Sequence, residues 1–134
     1  MSFFHVLDVA ATGLSAQRIR ISVLSSNMAN ANTTRTEDGG PYRKKNVIFK
    51  QVLQGEHKGG VQVDKIYEDT KPPRLQYDPT HPDANEEGYV AFPNISPVEE
   101  MVNLLEAARS YEANISTLTT AKQLASSALS IGRT

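Results

Sequence analysis

Asp78, His81 and Asp83, followed by Glu86 and Glu87, are the residue types best suited to hold a divalent metal, since carboxylates and imidazole are its usual protein ligands. Their setting points elsewhere. Pro79 and Pro82 fix φ on either side of His81, and the Asp, Asn and Gly turn formers that follow suit a stiff, solvated connection. His5 and His57 lie far off in sequence, so no second imidazole is at hand to complete a site, and both are expected as surface or packing residues. Ser22, Ser25, Ser26, Ser126, Ser127 and Ser130 sit in no nucleophile-elbow pattern and have no basic partner at a recognisable spacing. The chain has no cysteine, which excludes thiolate catalysis, disulfides and cysteine-ligated zinc. Gly39-Gly40 and Gly59-Gly60 lack the lysine and hydroxyl of a phosphate loop and read as turns. Arg43-Lys44-Lys45, with Phe49 and Lys50 beyond, is a basic cluster with an aromatic neighbour that would suit nucleic acid. A solvated strand edge, where lysines discourage pairing, accounts for it better. The residues therefore predict no catalytic group, no cofactor and no metal.

A formal net charge of −1 provides no field to concentrate nucleic acid or an anionic membrane surface. No run approaches the ~18 apolar residues of a membrane span, and the N-terminus lacks the basic and apolar segments of a secretory signal. Nucleic acid and membrane insertion are not expected. The chain either stays in the cytoplasm or leaves by a route that cleaves no signal peptide.

The apolar residues gather at the two ends of the 134-residue chain and leave a polar middle. A globular domain of this size buries roughly 65–70% of its unfolded surface, which such a middle cannot do alone. Terminal helices must complete the core, within the chain or with partners. From Phe3 to about Ala31 there is no proline, and Leu7, Ala10, Leu14, Gln17, Ile21, Leu24, Met28 and Ala31 follow a three-then-four spacing, the seam of a helix that packs on another helix. Its length, about 40 Å at ~1.5 Å per residue, exceeds what a small core requires. Gly13 inside it marks either a close approach of another helix or a tolerated defect costing ~1 kcal/mol. A second helix should begin at Ser96, which can cap, with Pro97 at its first position and Glu99 completing a capping box. Its seam reads Met101, Leu104, Ala108, Tyr111, Ile115, Leu118, Lys122, Ala125 and Leu129, and Gly132 offers a stop.

Between the helices, Gly39-Gly40-Pro41 is a turn leading to the strand-like Val47-Ile48-Phe49. Gly59-Gly60 opens a second strand, Val61 to Asp64, which Ile66-Tyr67 extends before Pro72-Pro73 stops pairing. Leu75 to Tyr77 and Tyr89 to Phe92 add two short extended pieces. The fold expected is mainly α with a small β portion: a helix over residues 1–32, an antiparallel β and loop segment over 33–95 and a helix over 96–134, together one structural unit. The helices should pack as a coiled-coil-like pair or bundle. Asn27-Met28-Ala29-Asn30-Ala31-Asn32-Thr33-Thr34 places amides where the first helix ends, either to cap its last carbonyls or to contact other subunits.

With those residues in view, the chain resembles the flagellar rod and hook family of axial proteins over nearly its whole length. Ala11-Thr12-Gly13-Leu14-Ser15-Ala16-Gln17 with Ser26-Asn27-Met28-Ala29-Asn30-Ala31-Asn32-Thr33 resembles its N-terminal signature, and Ala108-Arg109-Ser110-Tyr111-Glu112-Ala113-Asn114 its C-terminal one. Gly39 to Arg43, His81 to Val90 and Pro93-Asn94, in so short a chain, are similar to one proximal member. Met28 and Leu124 depart conservatively, where Leu and Met are commoner. The resemblance implies a structural subunit of the proximal rod of the bacterial flagellar basal body, spanning the periplasm, that helps transmit torque and conduct exported subunits and has no enzymatic activity. It implies that Leu7, Leu14, Ile21, Leu24, Asn27, Met28, Asn30, Asn32, Met101, Leu104, Ala108, Tyr111, Asn114, Ile115 and Leu118 form the assembly interface. The partners implied are further copies, other rod proteins, basal-body ring and adaptor proteins, and the flagellar type III export apparatus, for which Phe3 and Leu7 match a short recognition pattern. A self-contained coiled-coil adaptor or scaffold is the competing expectation from the seams alone.

Overall fold

The computed structural model describes residues 2–133, and its elements run helix, four strands, helix. Helix α1 spans Phe3–Ala29. Ser2 starts it: its hydroxyl accepts from His5 N–H at 3.2 Å and its carbonyl from Val6 N–H at 3.2 Å. The helix gives way to turns two residues earlier than the apolar pattern suggested, and there the Ser26 carbonyl accepts both from Asn30 N–H at 3.1 Å and from Asn30 Nδ2 at 2.8 Å. Helix α2 spans Pro97–Gly132, with Glu99 N–H reaching Ser96 Oγ at 3.4 Å.

Strands β1 (Lys45–Gln51) and β2 (Val61–Glu68) form a two-stranded sheet, and β3 (Arg74–Tyr77) and β4 (Tyr89–Phe92) another. β1 runs longer than Val47-Ile48-Phe49 because β2 pairs along it: Asp69 N–H bonds to Lys44 O at 2.8 Å at one end and Val52 N–H to Gly60 O at 2.9 Å at the other, an antiparallel ladder. In the second sheet Leu75 faces Ala91 and Tyr77 faces Tyr89. Mainly helical architecture with a small antiparallel β middle is thus observed.

The chain divides into two compact units, one of Met1–Ile21, Ile48–Lys65 and Glu106–Thr134, the other of Ser22–Val47 and Ile66–Leu105. In the first, the buried side chains are all alanines, Ala10, Ala16, Ala107 and Ala121. A Cβ added to Gly13 would lie 3.0 Å from the Asn114 amide, so this glycine does admit a close approach of the other helix. The second unit encloses Leu24, Ala31, Val90, Pro93 and Ile95 together with two polar residues, Asn27 and Glu100.

The covered stripe of α2 corrects the expected seam. Leu104, Tyr111, Leu118 and Ala125 lie on it, but the alternate positions are Glu100, Ala107, Asn114 and Ala121 in place of Met101, Ala108, Ile115 and Lys122, one residue round the helix. Met101, Ile115, Lys122 and Leu129 are exposed. The physical reason is size. The close approach at Gly13 leaves room for the Asn114 side chain, with the small Ala107 and Ala121 buried on the same stripe, and not for isoleucine.

Candidate functional site

Asn27 is the centre of the second unit. It lies in the last turns of α1, fully buried, and its amide makes four hydrogen bonds. Nδ2 donates to Lys45 O at 2.8 Å and Oδ1 accepts from Lys45 N–H at 2.9 Å, so one side-chain amide pairs with both backbone groups of a single strand residue. Because Lys44 O accepts from Asp69 on the β2 side, the Lys45 groups point to the opposite edge of β1. Asn27 therefore closes that edge as a short piece of strand would. Its second donor contact is to Glu100 Oε2 at 3.2 Å, and its second acceptor contact is from the Tyr42 hydroxyl at 3.0 Å.

Glu100 is fully buried in the first turn of α2, where the helix dipole favours a carboxylate. Lys44 Nζ stands 2.9 Å from its Oε1 as an ion pair, though off the line of a well-aligned hydrogen bond. Burial works to lower the Lys44 pKa, but the Glu100 carboxylate close beside it, with the charges of Glu99 and Asp69 adding to it, prevails and raises it above the ordinary lysine value. Lys44 is therefore not a solvated edge residue as expected, whereas Arg43 beside it is exposed.

In the first unit a smaller set of ties fixes the β1–β2 hairpin to α1. Thr12 Oγ1 donates to Val9 O at 2.6 Å and accepts from Val61 N–H at 3.1 Å. Gly60 is buried against it, and a Cβ there would stand 2.5 Å from Thr12 Oγ1 and 2.9 Å from the His57 carbonyl. His57 pairs with Asp8, and that hydrogen bond, then the carboxylate charge, raises the imidazole pKa above its usual value. Arg20 and Glu106 approach to 3.8 Å.

The segment proposed as a stiff connection is pinned, not free. Asp83 binds Arg35 at 2.7 Å and the Thr34 hydroxyl at 2.7 Å, its N–H donates to His81 Nδ1 at 3.0 Å, and Asp78 accepts from Thr80. The Asp83 carboxylate that would have served a cation is held by the chain's own groups, and among the described residues no cluster of three His, Asp or Glu suits a metal.

Of the residues expected at an assembly interface, Leu24 and Asn27 are already buried within the chain. Leu7, Leu14, Ile21, Met28, Asn30, Leu104, Ala108, Tyr111, Asn114 and Leu118 are half-buried, while Asn32, Met101 and Ile115 are exposed, as is Phe3 of the export pattern. Asn30 caps α1 and accepts from the Thr33 hydroxyl at 3.1 Å. Sequence reasoning missed Glu100 and Lys44. The available signal was a second carboxylate directly after Glu99, on the side of α2 that Leu104 also occupies.

Comparison with known proteins gives these groups a context. Residues 7–35 match the family described as Flagella basal body rod protein, and residues 86–131 match Flagellar basal body rod FlgEFG protein C-terminal. The flagellar basal-body rod protein FlgC of Bacillus subtilis is 44% identical, with 99% of this chain and 100% of the relative covered. The FlgC proteins of Borreliella burgdorferi, 43% identical with 98% of both chains covered, and Salmonella typhimurium, 41% identical with 99% of this chain and 100% of the relative covered, are similar throughout. The short, proximal-type member suggested by the sequence motifs is thereby supported at full length.

Proposed function

The chain belongs to the flagellar basal-body rod protein family and is a structural subunit of the rod, and from that premise we propose that it builds the proximal rod, helping to transmit torque and to conduct exported subunits. The observation that carries this reading is the exposure of large apolar side chains along α2, Met101, Leu105, Ile115, Leu124 and Leu129 among them, in a chain similar end to end to rod proteins. A helix that keeps alanines for its own partner and turns its larger apolar residues to water is built to be covered by something else. In this reading the partners are further copies, other rod proteins and the basal-body ring and adaptor proteins. Assembly draws on the half-buried and exposed residues from Leu7 to Asn32 and from Met101 to Leu118.

The role is mechanical, with no catalytic step and no cofactor. The subunit works in the periplasm and arrives through the flagellar type III export apparatus without a cleaved signal peptide, Phe3 and Leu7 serving recognition at the export gate. No helix among the described residues is long and apolar enough to cross a membrane. The test is an in-frame deletion followed by isolation of basal bodies. Loss of the rod, restored by the wild-type gene but not by Ile115→Asp, is the expected result. An intact rod and normal swimming in the deletion strain would refute the assignment.

A further inference from the structure

Within the unit of Ser22–Val47 and Ile66–Leu105, two apolar faces stand uncovered. One is on α2, opposite Glu100 and Leu104: Val98, Met101, Val102 and Leu105 follow one another at helical spacing, with exposures from 52% to 73%. The other is on the β3–β4 sheet. Its register puts Leu75, Tyr77, Tyr89 and Ala91 on one side and Arg74, Gln76, Val90 and Phe92 on the other. Val90 is fully buried and Phe92 half-buried, so the β4 part of the second side is covered, whereas Leu75 and Tyr77 are 62% and 63% exposed and Tyr77 packs edge-on against Tyr89. Both faces remain exposed, so neither covers the other within one chain.

We propose that these two faces cover each other between copies: the Val98–Leu105 stripe of one subunit docks on the Leu75, Tyr77 and Tyr89 face of the next. This rests on the reading that the chain assembles with further copies and names the surfaces. Their lengths match, since seven helical steps cover roughly 10 Å and four strand residues about 13 Å. A helix stripe against a sheet face is an ordinary two-layer packing. Charge agrees as well: exposed Glu99 flanks the start of the stripe, and exposed Lys71 stands at the entrance to β3. The contact is heterologous, with different patches on the two partners, so it propagates from copy to copy and does not close into a two-fold dimer.

The chain has no cysteine, which makes crosslinking clean. Met101→Cys and Tyr77→Cys are introduced singly and together, and basal bodies from cells carrying them are oxidised. The double variant should give a ladder of dimers, trimers and higher species, a mixture of the single variants only dimers, and each single variant alone no product. Val102→Cys with Leu75→Cys provides a second pair should the first disturb assembly. In a second arm, Glu99→Lys should lower crosslinking several-fold and Lys71→Glu in the same chain should restore it. Crosslinks from Met101→Cys alone would show a symmetric contact and overturn the proposal. Intact rods without crosslinks in either pair would overturn it too while leaving the rod assignment standing, and absence of rods in the wild-type control would instead strike that assignment.

Discussion

Replacing Asn27 with alanine removes the amide that joins α1, β1 and α2 in one unit. Four groups lose a partner: Lys45 N–H, Lys45 C=O, the Tyr42 hydroxyl and Glu100 Oε2. The losses are unequal. Tyr42 keeps Ser26 Oγ at 3.3 Å and Glu100 keeps Lys44, whereas among the described residues no strand lies on the Lys45 edge to replace Asn27. An unpaired buried backbone group costs about 1–3 kcal/mol, and half-burial of Lys45 lets water recover part of that. Two backbone groups at the low end and a weakened tie to a charged carboxylate sum to about 3 kcal/mol. That is roughly a 150-fold change in the folding equilibrium. At an m-value of about 1.5 kcal/mol/M the urea midpoint should fall by about 2 M. Amide exchange at Lys45 should accelerate more than at Asp69, whose N–H bonds to Lys44 O in the ladder. The control is Asn30→Ala, which loses one helix-end bond and one hydroxyl contact and should cost no more than about 1 kcal/mol. A loss under 1 kcal/mol for Asn27→Ala, or equal effects of the two substitutions, would refute the assignment of Asn27 as the joint.

Five further outcomes follow from the structure. Lys44→Met strips Glu100 of its counter-ion and should cost about 2–4 kcal/mol in a denaturant titration, while Lys44→Met with Glu100→Gln recovers most of it, because the amide needs no cation. The Lys44 contribution, raised in the folded state, holds below the ordinary lysine pKa and fades only as pH climbs through the raised value, so alkaline melts should converge with those of the variant. Gly60→Ala drives a methyl into Thr12 and the His57 carbonyl and should cost about 1–3 kcal/mol, less in a Thr12→Ala background. The His57–Asp8 tie is strongest with the imidazole protonated, so protection of hairpin amides near Gly59 and Gly60, read by hydrogen exchange, should hold below pH 6.5 and decline as pH rises through the raised histidine pKa. Finally, residues from Ser126 to Gly132 are all exposed, and their amides should exchange fastest in α2 of the free chain.

Much of this was legible because it is local. Ser96 and Pro97 announce the start of α2, the alternation of Val61 and Val63 announces β2, and Leu75 to Tyr77 and Tyr89 to Phe92 emerge as the two strands of one sheet. What was not legible depends on meetings between distant residues. Nothing near Asn27 says that its amide will pair with Lys45, eighteen positions later, and nothing near Lys44 says that a carboxylate from α2 will face it. An asparagine at a helix end reads as a cap, and Asn30, three residues on, is one. The two are separable only when the path of the chain after Gly40 is known.

The error in the α2 seam has a different origin. Periodicity reports that two stripes exist but not which one a helix turns toward its own partner, since Met101 and Ile115 are better seam residues than Glu100 and Asn114 on any hydrophobic scale. The choice is made on the opposite side, where Gly13 of α1 stands so near α2 that an added Cβ would meet the Asn114 side chain at 3.0 Å, while Ala107 and Ala121 are the residues buried on the same stripe. An isoleucine in place of Asn114 would crowd α1 at Gly13, where even a single added Cβ would lie 3.0 Å from the side chain now present. The large apolar residues are thereby displaced to the outer stripes. In a chain meant to stand alone that would be an aggregation hazard, but in a rod subunit it leaves apolar surface for its neighbours to bury, and a tight, small-residue intrachain seam is the geometric condition for having it.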